Sequence, residues 1–493
     1  MVENSMAELN EKLRRIDATA LWHPFTQMAE YVHETPAPPI VVGAEGNWLI
    51  AQDGKRYLDA NCGYWCLALG CRPEAVEKAV HAQLGEFSHS TLLGLSHVPA
   101  IKLAEKLTAL AGAPLNHVFF ADSGSEAVEA AVKMAYQYHV HKNHPEKSEF
   151  LALGEAYHGD TLGAVAVGGV DLFHATFKPL LFPVRRVPPP HCYRCPWNLK
   201  PSSCSLECAA AMEQAIAEHA SKLAAVVIEP FVLGPGGIIP QPPEYLERVI
   251  TAAKKHGVLV IFDEVAVGMG RLGSLFAFQM LPAAAPRPDI VCLAKGLTAG
   301  LLPLSAVLAT SEIYNAFLGK ISDRRTFFHG HTFTGSALGC AAALAALDII
   351  SNPDFLRHLR DETIPAFWRM LEPLRQHEHV GNVRGCGMMA GLELSRNKSA
   401  PLAAAQEYPW HERHGHRVVL AARKRGVNIR AIGNLVLAVP PLTITREEIE
   451  LLGRVLTESI DEVTKTATLA ADTTDEIVGA NKDNKSGARE NVC

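Results

Sequence analysis

The chain has 493 residues, 48% of them hydrophobic, so it can bury a large core and form two or three domains. Its net charge of -6 and its lack of a dense basic run argue against a nucleic-acid-binding protein. It has no run of about 18 apolar residues that would cross a membrane, and its eleven cysteines without an N-terminal signal segment indicate free thiols. We therefore expect a soluble protein of the reducing cytoplasm.

The first 335 residues are expected to form a large domain and part of a small domain. Residues 7–21 have the pattern of an amphipathic helix, and 41–57 predict a small meander of strands with a turn at Asp53-Gly54. We assign 1–72 to an N-terminal segment that contributes to a small domain. From 73 to 335, helical patterns alternate with apolar strands, which is typical of a mostly parallel sheet. The predicted class is therefore α/β, with 73–335 as the large domain.

A candidate phosphate site follows the apolar strand that ends near Phe120. Ser123, Gly124 and Ser125 precede an alanine-rich helical pattern over 127–136. Small residues let backbone N–H groups approach a phosphate, serine hydroxyls add donors, and a helix N-terminus carries a partial positive charge. An ordinary N-capped helix start would show the same pattern, and this alternative stays open.

A second turn of interest follows the apolar strand 149–153. It contains Tyr157, His158 and Gly159. The tyrosine offers an aromatic face on which a ring can stack, and the glycine permits a close approach of the backbone. We therefore treat this turn as part of the same candidate ligand site.

Four of the cysteines fall in one irregular, proline-flanked stretch, namely Cys192, Cys195, Cys204 and Cys208. Thiolates are soft ligands, and four of them could hold zinc or an iron–sulfur cluster. The two pairs lie only a few residues apart, which argues against such a site. The main expectation is therefore no metal, with these four residues as the alternative.

Three apolar, β-branched segments each end in charged residues, which are Glu229, Asp263-Glu264 and Lys295. Such runs are typical of parallel strands covered on both faces, and α/β sheets bind ligands at the carboxyl ends of their strands. Pyridoxal 5'-phosphate requires a lysine for its Schiff base and a carboxylate beside its protonated ring nitrogen. We assign Lys295 to the Schiff base and then to the base that moves the proton, and Asp263 to the ring nitrogen. A solvated lysine at a strand end is the alternative.

The remainder of the chain predicts a second unit of mixed structure. An alanine-rich helix is expected over 337–350, with strand candidates at 387–394 and 434–439. We assign 336–465 to a C-terminal small domain. The polar segment 466–493 is expected to be disordered.

Five motifs together resemble the class III aminotransferases of the pyridoxal-phosphate fold type I superfamily. They are Asp-Ser-Gly-Ser-Glu-Ala (122–127), Tyr-His-Gly-Asp (157–160), Asp-Glu-Val-Ala-Val-Gly-Met-Gly-Arg (263–271), Ala-Lys-Gly (294–296) and His-Gly-His-Thr-Phe-Thr-Gly (329–335). The resemblance extends from about residue 21 to 464. It implies a pyridoxal-phosphate enzyme with a mostly parallel seven-stranded sheet, a smaller α+β domain formed by both chain ends, and a ping-pong reaction. The residues it assigns to the cofactor are Ser123, Gly124, Ser125, Tyr157, His158, Glu229, Asp263, Lys295 and Thr332.

Further segments resemble the class III branch that makes 7,8-diaminononanoate in biotin synthesis. They are 21–28, 63–65, 89–94 and 428–430, and two of them look more like the members that use lysine as amino donor. This resemblance implies that Phe25, Tyr64 and Trp65 line the substrate pocket and that Arg430 binds the distal carboxylate of 8-amino-7-oxononanoate. It also implies that Thr332 reaches the cofactor phosphate of the neighbouring subunit in an obligate homodimer.

The chain departs from this branch at four positions. Phe25 stands where many members have tyrosine, Leu233 where glutamine is usual, Val267 where threonine is usual, and Leu437 where some have tyrosine. Each exchange removes a hydroxyl or amide donor near the expected pocket, and sites built on such donors discriminate by leaving them unpaired. The departures therefore bear on the substrate rather than on the cofactor.

Several functions stay open. The favoured one is an aminotransferase acting on 8-amino-7-oxononanoate, with lysine or S-adenosylmethionine as donor. The first alternative is a class III transaminase that passes amino groups from ω-amines to pyruvate or another keto acid, and the second is a class III aminomutase. A non-catalytic protein that works through the cysteine stretch is a third alternative, but it gives no reason to retain Lys295, Asp263, Tyr157 and the phosphate site together.

Overall fold

The structure is a computed structural model that describes the backbone of residues 2–398 and 407–480 and the side chains of 8–398 and 407–465. Its strands are β1 Val41–Glu45, β2 Trp48–Ala51, β3 Arg56–Asp59, β4 Leu115–Ala121, β5 Glu149–Leu153, β6 Arg185–Val187, β7 Leu223–Ile228, β8 Val232–Leu233, β9 Ile239–Pro240, β10 Leu259–Asp263, β11 Ile290–Leu293, β12 Ser305–Thr310, β13 Val380–Cys386, β14 Met389–Leu394, β15 Val427–Asn428, β16 Arg430–Ile432 and β17 Leu435–Ala438. Its helices are α1 Val2–Ala20, α2 Met28–Tyr31, α3 Cys62–Trp65, α4 Glu74–Glu86, α5 Val98–Ala111, α6 Gly124–His141, α7 Leu162–Val167, α8 Asp171–His174, α9 Glu207–His219, α10 Pro243–Lys255, α11 Ser311–Ala316, α12 Ala337–Ile350, α13 Pro353–His358, α14 Ile364–Gln376, α15 His414–Lys424 and α16 Arg446–Ala480.

A seven-stranded sheet forms the centre of the large domain, with strand order β4-β12-β11-β10-β7-β5-β6. β12 pairs antiparallel with both of its neighbours, and the pairs among β11, β10, β7, β5 and β6 are parallel. Every residue of β7, β10, β11 and β12 is buried, because helices cover both faces of the sheet. The predicted mostly parallel, seven-stranded sheet is therefore confirmed.

A large and a small hydrophobic cluster cover the two faces of this sheet. The smaller cluster packs the alanine-rich face of α6 against buried side chains such as Ile261, Cys292 and Val307. Small alanine side chains let the helix backbone lie close to the sheet. This packing fixes where α6 begins, directly beside the carboxyl ends of the central strands.

Two smaller sheets combine segments from both ends of the chain. One has the order β1-β2-β3-β15, in which β15 pairs parallel with β3, and the other has the order β13-β14-β17-β16. The N-terminal meander therefore shares a sheet with a strand that follows α15. This agrees with the expected small α+β domain built from both chain ends.

The C-terminal segment is described in part. Helix α16 extends to Ala480, into the segment from 466 that was expected to be disordered. The rest of that segment, 481–493, lies outside the described residues. Among the helices that the structure describes, none combines the length and the apolar character needed to cross a bilayer.

Candidate active site

The carboxyl ends of β7, β10 and β11 open into a cavity of about 610 Å³. These strands are neighbours in the sheet, so the charged residues that follow them meet at one edge, as predicted. The predicted site residues that line the cavity are Tyr64, Ser123, Gly124, Ser125, Tyr157, His158, Glu229, Asp263 and Lys295. The cavity therefore brings together both groups of residues selected from the sequence.

Lys295 follows β11 in a left-handed backbone conformation, with φ of 43°. Its Nζ lies 5.1 Å from the centroid of the Trp65 ring. Burial lowers the pKa of this amine, while the nearby Asp263 and Glu229 carboxylates oppose the shift. A lysine with a lowered pKa is neutral in a larger fraction of molecules and can act as nucleophile or base.

Asp263 is held by two contacts at the end of β10. One of its carboxylate oxygens lies 2.8 Å from Nδ1 of His158, and the other accepts a 3.0 Å hydrogen bond from the Val265 amide. The His158 side chain is fully buried, and its Nε2 has no partner among the described residues. The carboxylate is therefore fixed in place with a histidine that sequence analysis had not paired with it.

Glu229 serves mainly to brace the surrounding backbone. Its two oxygens accept 2.9 Å hydrogen bonds from the amides of Tyr157 and Gly234. Burial raises its pKa to about 7, with His158 lowering it and Asp263 raising it. Because both oxygens accept backbone N–H groups, the carboxylate holds two segments of the cavity wall together.

The candidate phosphate site is both an N-capped helix start and part of the cavity wall. Ser123 caps α6 through a capping box with Glu126. A Cβ on Gly124 would lie 2.6 Å from Val265 Cγ1, and one on Gly159 would lie 2.4 Å from Ser125 Oγ. Only residues without a side chain fit at these two close approaches, which shape a small concave seat at the helix N-terminus.

Tyr157 is oriented by the residues around it. Its hydroxyl donates a 2.7 Å hydrogen bond to Asp160, and its ring lies edge-on to Phe173 and nearly parallel to His174, each at 6.0 Å. Burial and the Asp160 carboxylate raise the pKa of the phenol, so it stays protonated at neutral pH. Its face is therefore fixed at the cavity wall.

The other aromatic wall of the cavity lies on a left-handed turn. Cys62, Gly63, Tyr64 and Trp65 have φ values of 53°, 54°, 67° and 74°, a conformation that costs residues with a Cβ roughly 1–2 kcal/mol each. Asp59 stabilises the turn by accepting a 2.6 Å hydrogen bond from the Gly63 amide. The rings of Tyr64 and Trp65 consequently stack at 5.9 Å.

Arg430, the first residue of β16, lies over the rings of Tyr64 and Phe25. Its guanidinium carbon is 4.5 Å from the centroid of Tyr64 and 5.9 Å from that of Phe25. Within the described residues it forms no ion pair with a carboxylate. A half-buried cation without a counter-ion, close to the cavity, is suited to bind an acid.

None of the four departures is among the described residues that line the cavity. Leu233, Val267 and Leu437 are buried in the large hydrophobic cluster, with exposures of 0%, 0% and 1%. Their side chains pack in the core, so the exchanges near the expected pocket stay a prediction about the substrate. Phe25 differs, since it is 50% exposed and contacts Arg430 and Phe173.

Sequence reasoning missed several residues that line the cavity. Cys66, Thr161, Leu301 and Leu302 are among them. Thr161 exchanges hydrogen bonds with Ser125, through its hydroxyl at 2.8 Å and its amide at 2.9 Å. The apolar run Leu301–Leu304 shortly after Lys295 was a usable signal, because a loop at a strand end that carries leucines often lines a pocket.

Thr332 and the cysteine stretch lie outside this cavity. Thr332 is exposed and does not line it in this chain. In the part of the chain that the structure describes, the potential metal ligands that come within 4.8 Å of one another are Asp122, Glu126 and His331. The thiols of Cys192, Cys195, Cys204 and Cys208 do not form such a group among the described residues, although they lie near one another, and burial together with the neighbouring thiols raises the pKa values of Cys192 and Cys208.

Known proteins share this architecture and sequence. Residues 30–460 match the family model described as aminotransferase class-III. A relative from Geobacter sulfurreducens, called adenosylmethionine-8-amino-7-oxononanoate aminotransferase, is 47% identical over 92% of this chain and 98% of its own. The crystal structure of the enzyme of that name from Methanocaldococcus jannaschii matches with TM-score 0.85 and 40% identity over 92% of this chain and 99% of its own.

A second solved structure is an amine transaminase from an uncultivated Pseudomonas species in its PLP-bound form. It matches with TM-score 0.83 and 33% identity over 90% of this chain and 99% of its own. The match to the family model over 30–460 includes every residue that lines the cavity. The chain therefore belongs to the class-III aminotransferase family.

Proposed function

We propose that this aminotransferase uses pyridoxal 5'-phosphate to move an amino group from lysine or S-adenosylmethionine to 8-amino-7-oxononanoate in biotin synthesis. Members of its family exchange amino groups between an amine donor and a keto acceptor. The observation that carries the proposal is the arrangement of Lys295, Asp263 and the α6 seat around one cavity with Arg430 near it. The named relatives support the choice of acceptor.

The residues of the cavity fit pyridoxal phosphate. The seat at the N-terminus of α6, where Gly124 and Gly159 leave no room for a Cβ, suits a phosphate. Tyr157 would lie against the ring, Asp263 beside the ring nitrogen, and Lys295 at the aldehyde. When bound, this cofactor acts as an electron sink for a carbanion on the substrate.

Asp263 and His158 would control protonation at the ring nitrogen. The 2.8 Å contact with His158 and the 3.0 Å contact with the Val265 amide hold the carboxylate in one orientation. A carboxylate fixed in a buried site favours a proton on a nitrogen placed against it, because the opposite charge stabilises the cationic form. His158 is therefore a positioning residue that acts through Asp263.

Lys295 would move the proton at the substrate carbon. Burial lowers its pKa, which increases the fraction of free amine that is able to accept a proton. The Trp65 ring lies beside its Nζ and helps to exclude water from the amine. The strained turn that carries Trp65 thus shapes the surroundings of the base.

Arg430, Tyr64 and Phe25 would select an acid with a long apolar chain. The arginine presents a planar fork to a carboxylate, while the aromatic rings contact methylene groups. Leu301 and Leu302 add a further apolar surface to the cavity. A substrate with an amine or ketone at one end and a carboxylate at the other matches this distribution.

We also infer that two copies of the chain complete the site. Thr332 is exposed, and it lies next to exposed aromatic side chains, Phe333 at 56% and Phe328 at 82%. Exposed apolar groups of this size mark an interaction surface. In a homodimer, Thr332 would reach the cofactor phosphate of the neighbouring subunit.

The proposal is tested by a half-reaction. The cofactor-loaded protein is mixed with 7,8-diaminononanoate, and the absorbance of the lysine-bound cofactor is followed as it converts to its amine form. Rapid conversion supports the proposed acceptor. Repeating the measurement with lysine and with S-adenosylmethionine in place of 7,8-diaminononanoate identifies the donor. Conversion by simple ω-amines alone would contradict the proposal and favour the transaminase alternative.

A further inference from the structure

A second, larger cavity of about 980 Å³ lies away from the active site. It is enclosed by the loop 191–201, by Trp368 and Arg375 of α14, by residues 382–385 of β13 and by Pro240 of β9. Its wall shares no residue with the active-site cavity. It therefore lies where an insert of the large domain meets the C-terminal small domain.

The wall of this second cavity carries positive charge. Arg194, Lys200, Arg375 and Arg384 line it, and no carboxylate is among the lining residues in the described part of the chain. The nearby acids offset part of this charge: Glu393 pairs with both Arg194 and Arg384, Glu407 with Arg194, and Glu372 with Arg375. Four cations thus face three carboxylates, and an anion would be attracted.

Within the described residues, Arg384 presents an unpaired donor group to the second cavity. Its side chain is 8% exposed, its Nε donates a 2.8 Å hydrogen bond to the Gly237 carbonyl, and its Nη1 pairs with Glu393. Its Nη2 has no hydrogen-bond partner among the described residues. A buried guanidinium with unused N–H donors in a cavity wall is suited to a phosphate, which accepts several charge-assisted hydrogen bonds.

Two aromatic side chains in the wall add flat apolar surfaces. The Trp368 indole is fixed by a 2.9 Å hydrogen bond from Nε1 to the Gly387 carbonyl, and the Arg375 guanidinium carbon lies 5.6 Å from its ring. Tyr193 has the Arg194 guanidinium carbon 5.6 Å from its ring. Aromatic faces beside guanidinium groups suit a planar ring that carries phosphate.

We propose that this second cavity binds a phosphate-bearing ligand with a planar ring, of nucleotide size, and that its occupancy regulates the active site. The hairpin β8–β9 connects the two cavities. At one end, the Gly234 amide donates a hydrogen bond to Glu229, and Pro235 lines the active-site cavity. At the other end, the Gly237 carbonyl accepts a hydrogen bond from Arg384, and Pro240 lines the second cavity. A ligand that moves Arg384 is therefore coupled to the backbone that holds Glu229.

Calorimetric titration of the cofactor-loaded protein with adenosine triphosphate, in the presence of a metal chelator, tests the binding. We expect saturable binding that weakens at least tenfold in Arg375→Gln and in Lys200→Gln. Arg369→Gln is the matched control, because Arg369 is exposed on the same helix as Arg375 and lies outside the cavity. An absence of saturable binding, or equal binding by all three variants, would overturn the proposal.

Two further measurements separate the parts of the proposal. Inorganic pyrophosphate should bind more weakly than adenosine triphosphate, and equal affinity would refute the contacts with Trp368 and Tyr193. Adenosine triphosphate should change the rate of the cofactor half-reaction at the concentrations at which it binds. Binding without any change in rate would refute regulation through the hairpin.

Discussion

The cofactor end of the active-site cavity and its substrate end are supported by different kinds of backbone. Asp263 ends β10 and Lys295 follows the adjacent parallel strand β11, so the register of the sheet places them. Tyr64 and Trp65 lie on a turn of four left-handed residues, and Arg430 comes from a small sheet of the other domain. The first end is fixed by regular structure, and the second depends on strained backbone and on domain packing.

We therefore expect the cofactor end to determine the chemistry of the reaction and the substrate end to determine which substrate is accepted. Substitutions at the carboxyl ends of the central strands should abolish the reaction with every substrate, because the same groups act on each substrate. Changes near Arg430 and Tyr64 should alter which substrate is accepted and leave the cofactor chemistry in place.

Lys295→Ala should abolish turnover with all donors and acceptors, a loss of at least about 10²–10⁴-fold from removal of the base alone. The absorbance of the lysine-bound cofactor should disappear as well. Turnover and absorbance are measured side by side, with Lys102→Ala, a change at an exposed lysine of α5, as the control. Retained turnover in the Lys295 variant would refute its assignment.

Arg430→Gln should raise KM for 8-amino-7-oxononanoate by roughly 10–100-fold, since a hydrogen bond to a charged group contributes about 1.5–3 kcal/mol. Amines without a carboxylate should react as before, because the cofactor end is unchanged. Steady-state kinetics with both kinds of substrate make this comparison. An equal fall in kcat/KM for both kinds of substrate would show that Arg430 supports the cofactor end instead.

His158→Ala should lower kcat by about 10-fold or more, because Asp263 loses a charge-assisted contact, and leave KM nearly unchanged. The pH dependence of the absorption spectrum of the bound cofactor should shift as well, since protonation of the ring nitrogen is less favoured. A structural role alone would lower thermal stability without moving that pH profile. The two readouts together therefore distinguish positioning from packing.

Substitution of Glu264 is expected to change the pH dependence of protein stability and to affect activity less than the substitutions above. Its buried carboxyl accepts hydrogen bonds from the amides of Ala277 and Phe278, and burial raises its pKa from 4.5 to about 8. Between these values the folded protein holds a proton that the unfolded chain has lost, so stability falls as pH rises, by up to about 1.4 kcal/mol per pH unit. Thermal unfolding from pH 5 to about 8 should show a smaller decline for Glu264→Gln than for the unchanged protein. Identical slopes would contradict this assignment.

The sequence predicted the cofactor end better than the substrate end for physical reasons. Helix α12 has the predicted bounds, 337–350, and β5 has the predicted bounds 149–153, because both carry strong apolar patterns. The left-handed turn at 62–65 has a single glycine as its signal, and tertiary contacts such as that from Asp59 impose the rest. The burial of Leu233 was not predicted, since a sequence does not show which side of a short strand faces the core.

The second cavity could not be predicted from the sequence, for a related reason. Its wall combines an irregular loop with β13 and α14, which are almost two hundred residues away in the chain. No local pattern links Arg194 to Glu393, because the pairing depends on how the domains pack. Cavities between domains are therefore harder to infer from sequence than those at strand ends.

The most direct test of the account is to identify the lysine that holds the cofactor. The loaded protein is reduced with borohydride, which fixes the cofactor to its lysine, and is then digested and analysed by mass spectrometry. The account predicts that the modified peptide contains Lys295. Modification at any other lysine, with Lys295 unlabelled, would contradict it.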